Sequence, residues 1–266
     1  MDTKQHPVVL YKNQDFLVVE KPAGMLMHGI RGKEAIEETV ASWLVEHYSQ
    51  AKIVGDDKEN RPGIVHRLDK DTSGVVVVAL NQDTFIFFKK LFQAHEVKKE
   101  YRALVWGRVK EDRGVITLPI GLHNGSTKRT THIRLGGPSD RQTRMVKEAI
   151  TEYRVAARFV VPDTNPNEHF RGESLTLLSV FPKTGRTHQI RVHFASLNHP
   201  VLHDPLYGGK KRFEESKKLG SVRQFLHARA IEFVSQNGER IRVESPLPSD
   251  LEEVLAQLKR EQVVHP

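Results

Sequence analysis

Apolar and polar residues recur along this chain with two different periods, and the changes of period mark its elements. Two β-rich runs, residues 8–12 (Val-Val-Leu-Tyr-Lys) and 16–20 (Phe-Leu-Val-Val-Glu), flank the turn composition Asn13-Gln14-Asp15 and predict a hairpin. Over residues 34–48 the apolar positions Ile36, Val40, Trp43, Leu44 and Tyr48 fall at helical spacing, which predicts one amphipathic helix. Residues 75–80 form an unbroken apolar run with a β-branched majority. Its shortness and the preceding Gly74 predict a central strand covered on both faces. Asn81 then stands where a helix cap is expected, ahead of Phe85, Phe88, Leu91 and Phe92 on one face, an aromatic stripe that reads as core packing.

Alternation starts again at Tyr101, with Ala103 and Val105 on its side and Arg102, Leu104 and Trp106 on the other, and Gly107 closes the strand. A Tyr in that position is by pattern alone a core or rim residue. Residues 115–120, 152–160 and 175–181 read as further strands, 188–197 as a helix, and 162–172 as a polar connection. Residues 228–234 and 239–244, joined through Gln236-Asn237-Gly238, predict a hairpin, and Ser249 with Glu252 has capping-box spacing for a helix showing Leu251, Leu255 and Leu258. The strands imply a broad, mostly antiparallel sheet.

Composition narrows the chemistry. The absence of Cys from all 266 residues excludes disulfides, thiolate nucleophiles and zinc–thiolate sites. No apolar run approaches the ~20 residues of a membrane-spanning helix, and residues 1–5 lack the apolar core of a secretory signal, so the expectation is a cytoplasmic protein with no membrane partner. The net charge of +8 suits a polyanion. Part of it is concentrated in residues 121–150, where Lys128, Arg129, Arg134, Arg141, Arg144 and Lys147 outnumber Asp140 and Glu148. In a Gly-rich segment this reads as an exposed basic loop able to follow a phosphate backbone. A second cluster, Lys210, Lys211, Arg212, Lys217, Lys218 and Arg223, reads as an exposed loop.

Reactive side chains crowd ahead of the central strand. His66, Arg67, Asp69, Lys70 and Asp71 lie in a loop that a rigid strand would hold in place, although Asp71-Thr72-Ser73-Gly74 is also ordinary turn chemistry. Lys183-Thr184-Gly185-Arg186-Thr187 runs into a helix start and is a plausible anion cradle that includes Arg186; it lacks the order of a P-loop. His188, His193, His199, His203 and Asp204 invite a metal reading, against which stand the missing H-E-x-x-H spacing and the turn-forming His-Pro and Asp-Pro steps.

His66-Arg67-Leu68-Asp69 followed by Thr72-Ser73-Gly74 resembles the central signature of the RluA-type RNA pseudouridine synthases. Other stretches resemble segments of that family in the family's order: Lys21-Pro22-Ala23-Gly24, residues 101–105, residues 183–193, His199-Pro200 with Asp204, and Leu226-His227-Ala228. The resemblance spans roughly residues 8–245. It implies an α+β fold, a single catalytic domain over residues 1–266 with a mixed, mainly antiparallel β-sheet flanked by helices and an RNA-binding cleft. Many relatives carry a small S4-like RNA-binding domain ahead of it, and with about seven residues before the first strand none is expected here.

The implied activity is isomerisation of specific uridines in structured ribosomal or transfer RNA, by a monomeric enzyme with no cofactor and no metal. The target base would be flipped into a pocket. Asp69 is the implied catalytic carboxylate, as nucleophile or as base. Tyr101 would stack on the uracil, Arg191, by default a solvated helix charge, would be the basic partner of Asp69, Arg67 would fill the space the base leaves, and Leu226 would wall the pocket. From the charge pattern, Lys128, Arg129 and Arg186 are the expected contacts to the RNA backbone. Two other readings remain open from sequence: an inert RNA-binding protein on the same scaffold, and a metal-dependent hydrolase using His66, Asp69 and the C-terminal His residues.

Overall fold

Along the chain run β1 (Val8–Lys12), β2 (Phe16–Lys21), α1 (Val40–His47), a 3₁₀ turn (Ser49–Ile53), β3 (Ser73–Ala79), α2 (Gln82–Gln93), β4 (Lys98–Trp106), β5 (Arg113–Ile116), β6 (Gly121–Leu122), β7 (Arg129–Thr130), β8 (Thr151–Val160), β9 (Ser174–Pro182), α3 (Gln189–Ser196), α4 (Lys210–Lys218), β10 (Leu226–Val234), β11 (Arg240–Glu244), α5 (Ser249–Ala256) and β12 (Lys259–Arg260). This computed structural model describes residues 6–29, 37–122, 128–131, 146–162 and 173–261. The class is α+β with a mixed, mainly antiparallel sheet, as the family resemblance implies. Two compact units emerge, Met1–Lys99 with His227–Pro246 and Glu100–Leu226 with Leu247–Pro266.

In the first unit β3 is the middle strand. It pairs antiparallel with β2 from Phe16↔Ala79 to Lys21↔Gly74 and parallel with β10 at His227↔Ser73 and Ala228↔Gly74. All seven of its residues are buried, as an apolar run without alternation requires. Gly74 is demanded by the parallel contact, because its φ is +117° and a Cβ there would stand 2.1 Å from the Ala228 carbonyl oxygen. The predicted β1–β2 hairpin forms, with a shift of register between Val9 and Tyr11. So does the β10–β11 hairpin, whose turn uses Gly238 at φ +83°.

Asn81 caps α2 through its side-chain oxygen, which accepts the Thr84 N–H at 2.9 Å. The aromatic stripe is core as read: Phe88 meets Phe16 and Phe233 edge-on at 5.2 and 5.0 Å between ring centroids. The helix expected over 34–48 is shorter. Thr39 and Ser42 close a capping box that starts α1 at Val40, while Glu34 and Ile36 lie outside the described residues.

In the second unit β9 lies between β4 and β8, antiparallel to both. β5 and β12 pair with β8 at different points along its length. The alternation read in β4 separates two cores. Leu104 and Trp106 join Leu202, Phe225, Leu251 and Val254, so α5 covers that face. Ala103 and Val105 join Leu178, Val180, Ile190 and Phe194, so α3 covers the other.

The strand expected over 115–120 ends at Ile116, and Ile120 instead makes an isolated bridge with Lys147. Much of the basic segment 210–223 is the helix α4, not a loop; Glu214–Lys217 and Lys211–Glu215 pairs run along it, and Phe213 packs on His203 at 4.5 Å. The Ser249–Glu252 capping box does not form, because Pro248 takes the cap position and its carbonyl accepts from Leu251 and Glu252.

Candidate active-site loop and basic hairpin

The loop from Gly63 to Thr72 is fixed to β3 before it reaches Asp69. Gly63 donates to Val54 O at 2.9 Å and accepts from the Ala79 N–H at 2.9 Å. His66 follows, with Nε2 accepting the Val77 N–H at 2.9 Å and its ring stacked on Phe92 at 4.6 Å. Burial, helped by the charge of Lys99, pushes the His66 pKa down to about 3, so the ring is neutral and can accept. Burial likewise holds Lys99 down to about 8.

Beyond Asp69 a second clamp closes. The Lys70 carbonyl accepts from Lys21 Nζ at 2.8 Å and from the Gly24 N–H at 3.0 Å. Lys21 also donates to Pro22 O and Met25 O, at 2.7 and 2.9 Å, and none of its surface is exposed. Three carbonyls therefore match the three N–H bonds of an ammonium. The Thr72 N–H bonds back to Asp69 O at 3.2 Å. Within this frame Leu68 is buried, Asp69 half-buried and Arg67 exposed. Next to it, Ser73 Oγ donates to His227 Nδ1 at 3.0 Å while His227 Nε2 donates to Ser245 O, locking the parallel β3–β10 contact.

The other anticipated side chains belong to the second unit. Tyr101 packs against the apolar cluster that contains Leu226, Ala103, Val180 and Ile190, so these two expected pocket residues share one environment. Arg191 is 4% exposed. The solvated-charge default was wrong, because Asp204 takes the guanidinium two-pronged, Nε to Oδ2 at 2.7 Å and Nη2 to Oδ1 at 2.9 Å. Asp204 Oδ1 accepts the N–H groups of Leu206 and Tyr207 as well, at 2.9 and 3.0 Å. The Tyr207 ring centroid lies 5.3 Å from Arg191 Cζ.

Lys128 and Arg129 lie at the β6–β7 hairpin, where Lys128 is exposed and its Nζ reaches Leu206 O at 3.2 Å. The Arg129 N–H donates to the Tyr207 hydroxyl at 3.0 Å. Arg134, Arg141 and Arg144 lie outside the described residues. In the loop 183–187, the Arg186 N–H and Thr184 Oγ1 both donate to Gln189 Oε1, and Arg186 Nε donates to Glu148 O. These donors are taken up by Gln189 at the start of α3 and by Glu148, which leaves less of a cradle than the sequence implies.

Three histidines of the metal reading are engaged elsewhere, and the fourth, His203, packs its ring on Phe213. His193 bridges Thr151 and Leu118 O, His199 donates to Trp106 O, and His188 meets Tyr207. Among the described residues no three His, Cys, Asp or Glu are grouped to hold a metal ion. Nor, among those residues, is any helix long and apolar enough to cross a membrane.

Residues 15–196 match the family model for RNA pseudouridylate synthase. The chain belongs to that family. Its members are isomerases, and the named relatives of this RNA pseudouridine synthase are longer than it is, the chain covering 71% and 73% of two of them. It is 37% identical over 261 residues to ribosomal large subunit pseudouridine synthase D of Vibrio cholerae, covering 95% of this chain and 71% of that one. It is 35% identical over 254 residues to an uncharacterized RNA pseudouridine synthase of Mycobacterium bovis, covering 95% and 73%. Among solved structures, human RNA pseudouridylate synthase domain containing 1 superimposes with a TM-score of 0.71 at 25% identity, over 100% of this chain and 94% of that one. Arg67, Asp69, Tyr101, Lys128, Arg129, Arg186 and Arg191 all fall within the matched residues of this synthase, and Leu226 falls beyond them.

Lys21 and Asp204 stand in the sequence only within family-like segments, Asp204 also among possible metal ligands, and neither is marked there as a buried support. A charged residue that reads as surface gives no local sign that it will be buried against a partner far along the chain.

Proposed function

We propose that this synthase converts specific uridines of structured ribosomal or transfer RNA to pseudouridine, with Asp69 as the catalytic carboxylate. The observation that carries the assignment of Asp69 is its loop, gripped at His66 by β3 and at Lys70 by Lys21 and Gly24, so that the residue between is held on a rigid frame. The name of the Vibrio cholerae relative favours ribosomal RNA as the class of substrate.

The target base is first turned out of its stack. The bond between N1 and the anomeric carbon breaks, the ring reorients, and C5 joins the same carbon; C5 loses a proton and N1 gains one. Asp69 serves this exchange as nucleophile on the anomeric carbon or as base at the neighbouring position, and either task needs the carboxylate ionised. Tyr101 stacks on the uracil, Leu226 walls it, Arg67 fills the vacated space, and Arg191 supplies the positive charge that favours the ionised carboxylate. Lys128, Arg129 and Arg186 contact phosphates.

The isomerisation needs no Lewis acid at any step, so activity is expected to survive excess EDTA; the reading further expects a cytoplasmic monomer. Mapping pseudouridines in total RNA from a strain lacking the protein tests it: one or a few ribosomal or transfer RNA positions should revert to uridine. An unchanged map would contradict the assignment.

A further inference from the structure

We propose that Tyr207 is a positioning residue that fastens the basic β6–β7 hairpin to the seat of Arg191, so that phosphate contact on the hairpin and placement of the guanidinium are coupled. The inference rests on the reading of that hairpin as an RNA contact.

Four contacts meet on this one side chain and its backbone. Its N–H is held by Asp204 Oδ1 at 3.0 Å, the carboxylate that also grips Arg191. Its ring lies 5.3 Å from the Arg191 guanidinium carbon and packs on Ile120, Ala149 and Val192. Its hydroxyl oxygen accepts the Arg129 N–H from β7 at 3.0 Å. The same hydroxyl lies 2.9 Å from His188 Nδ1, and an oxygen that already accepts from a backbone N–H has its own hydrogen to donate there.

His188 gives that last bond its meaning. It is the cap of α3, three residues before Arg191, and holds a left-handed φ of +57° that is unfavourable for a side-chain-bearing residue. The Tyr207 hydroxyl therefore ties together the strained start of the helix that carries Arg191 and the strand that carries Arg129. Lys128 Nζ on Leu206 O is a second tie from the hairpin to the same segment. A phenylalanine would fill the same space and keep the ring against Arg191, yet it would lose both hydroxyl bonds. Packing alone does not account for a tyrosine here.

The test is a double-mutant cycle between Tyr207→Phe and the pair Lys128→Ala/Arg129→Ala, which removes the hairpin charges and leaves the Arg129 N–H in place. Affinity and single-turnover rate would be measured on one structured substrate RNA. Tyr207→Phe alone should lower kcat/KM by about three- to tenfold, the scale of one lost hydrogen bond, and by less than about twofold once the hairpin charges are gone. In the free protein, exchange of the Arg129 amide hydrogen should quicken in Tyr207→Phe. Equal losses in both backgrounds, or unaltered exchange, would overturn the coupling while leaving the hairpin as an RNA contact. No loss of affinity in Lys128→Ala/Arg129→Ala would overturn the hairpin reading and the coupling with it.

Discussion

The Lys21 ammonium donates to the Lys70 carbonyl at 2.8 Å, one residue past Asp69, from a side chain with no exposed surface. A buried charge is tolerated only when its hydrogen bonds are met, and here three carbonyls meet them. Lys21→Met would leave those carbonyls short of a donor, at about 1–3 kcal/mol for a buried group left unsatisfied. We expect at least ~2 kcal/mol of lost stability by urea denaturation. Turnover should fall more than tenfold, with RNA affinity changed by less than about threefold, because the loop next to Asp69 loosens while the phosphate contacts stay. Loss of affinity matching the loss of turnover would contradict this.

His66 makes stability depend on acidity. Its folded pKa of about 3 lies below the ordinary 6.5, so between these values the unfolded chain binds a proton that the folded chain refuses. Stability should fall as pH drops through 6.5 toward 3, by up to about 1.4 kcal/mol per pH unit from this group, and should not depend on it above 6.5. In His66→Gln the slope of unfolding free energy between pH 6 and 4 should be shallower. An identical slope in both proteins would remove His66 from the account.

The hairpin charges should appear as a salt effect. Each contact to a single-stranded phosphate contributes about −0.7 to the slope of log affinity against log salt, so Lys128→Ala/Arg129→Ala should make that slope shallower by up to ~1.4. An unaltered slope would return the two residues to an ordinary solvated face.

Arg67 is exposed beside half-buried Asp69, which suits a side chain that enters the space left by the flipped base. Stacking there is worth roughly 1–3 kcal/mol per base. Arg67→Ala should therefore slow single-turnover conversion strongly on a folded stem-loop and much less on a short RNA whose uridine is already unstacked. Equal slowing on both would indicate that Arg67 only maintains the loop.

Much of the fold was legible because local chemistry and tertiary demand agree. β3 is an apolar run too short and too branched for a helix, and Asn81 caps α2 as its position predicts. α4 was missed since its nine residues are mostly charged and only Glu215 and Ser216 are buried, leaving no apolar stripe to read. The candidate site was visible in the sequence as motifs, and the contacts that support its loop were not. The grip of Lys21 on Lys70 joins residues 49 apart, and the burial of Arg191 depends on a carboxylate 13 residues further on. Neither partner can be read from spacing, because both are made by the way the chain returns upon itself.

The central claim is that Asp69 performs the chemistry and contributes little to holding the RNA. Asp69→Asn keeps the size of the side chain and removes its charge, with one carboxylate oxygen replaced by an NH2 group. Pseudouridine formation by the purified variant, measured in single turnover alongside equilibrium RNA binding, should fall below detection while the dissociation constant stays within a few fold of wild type. Turnover near the wild-type rate would contradict the account.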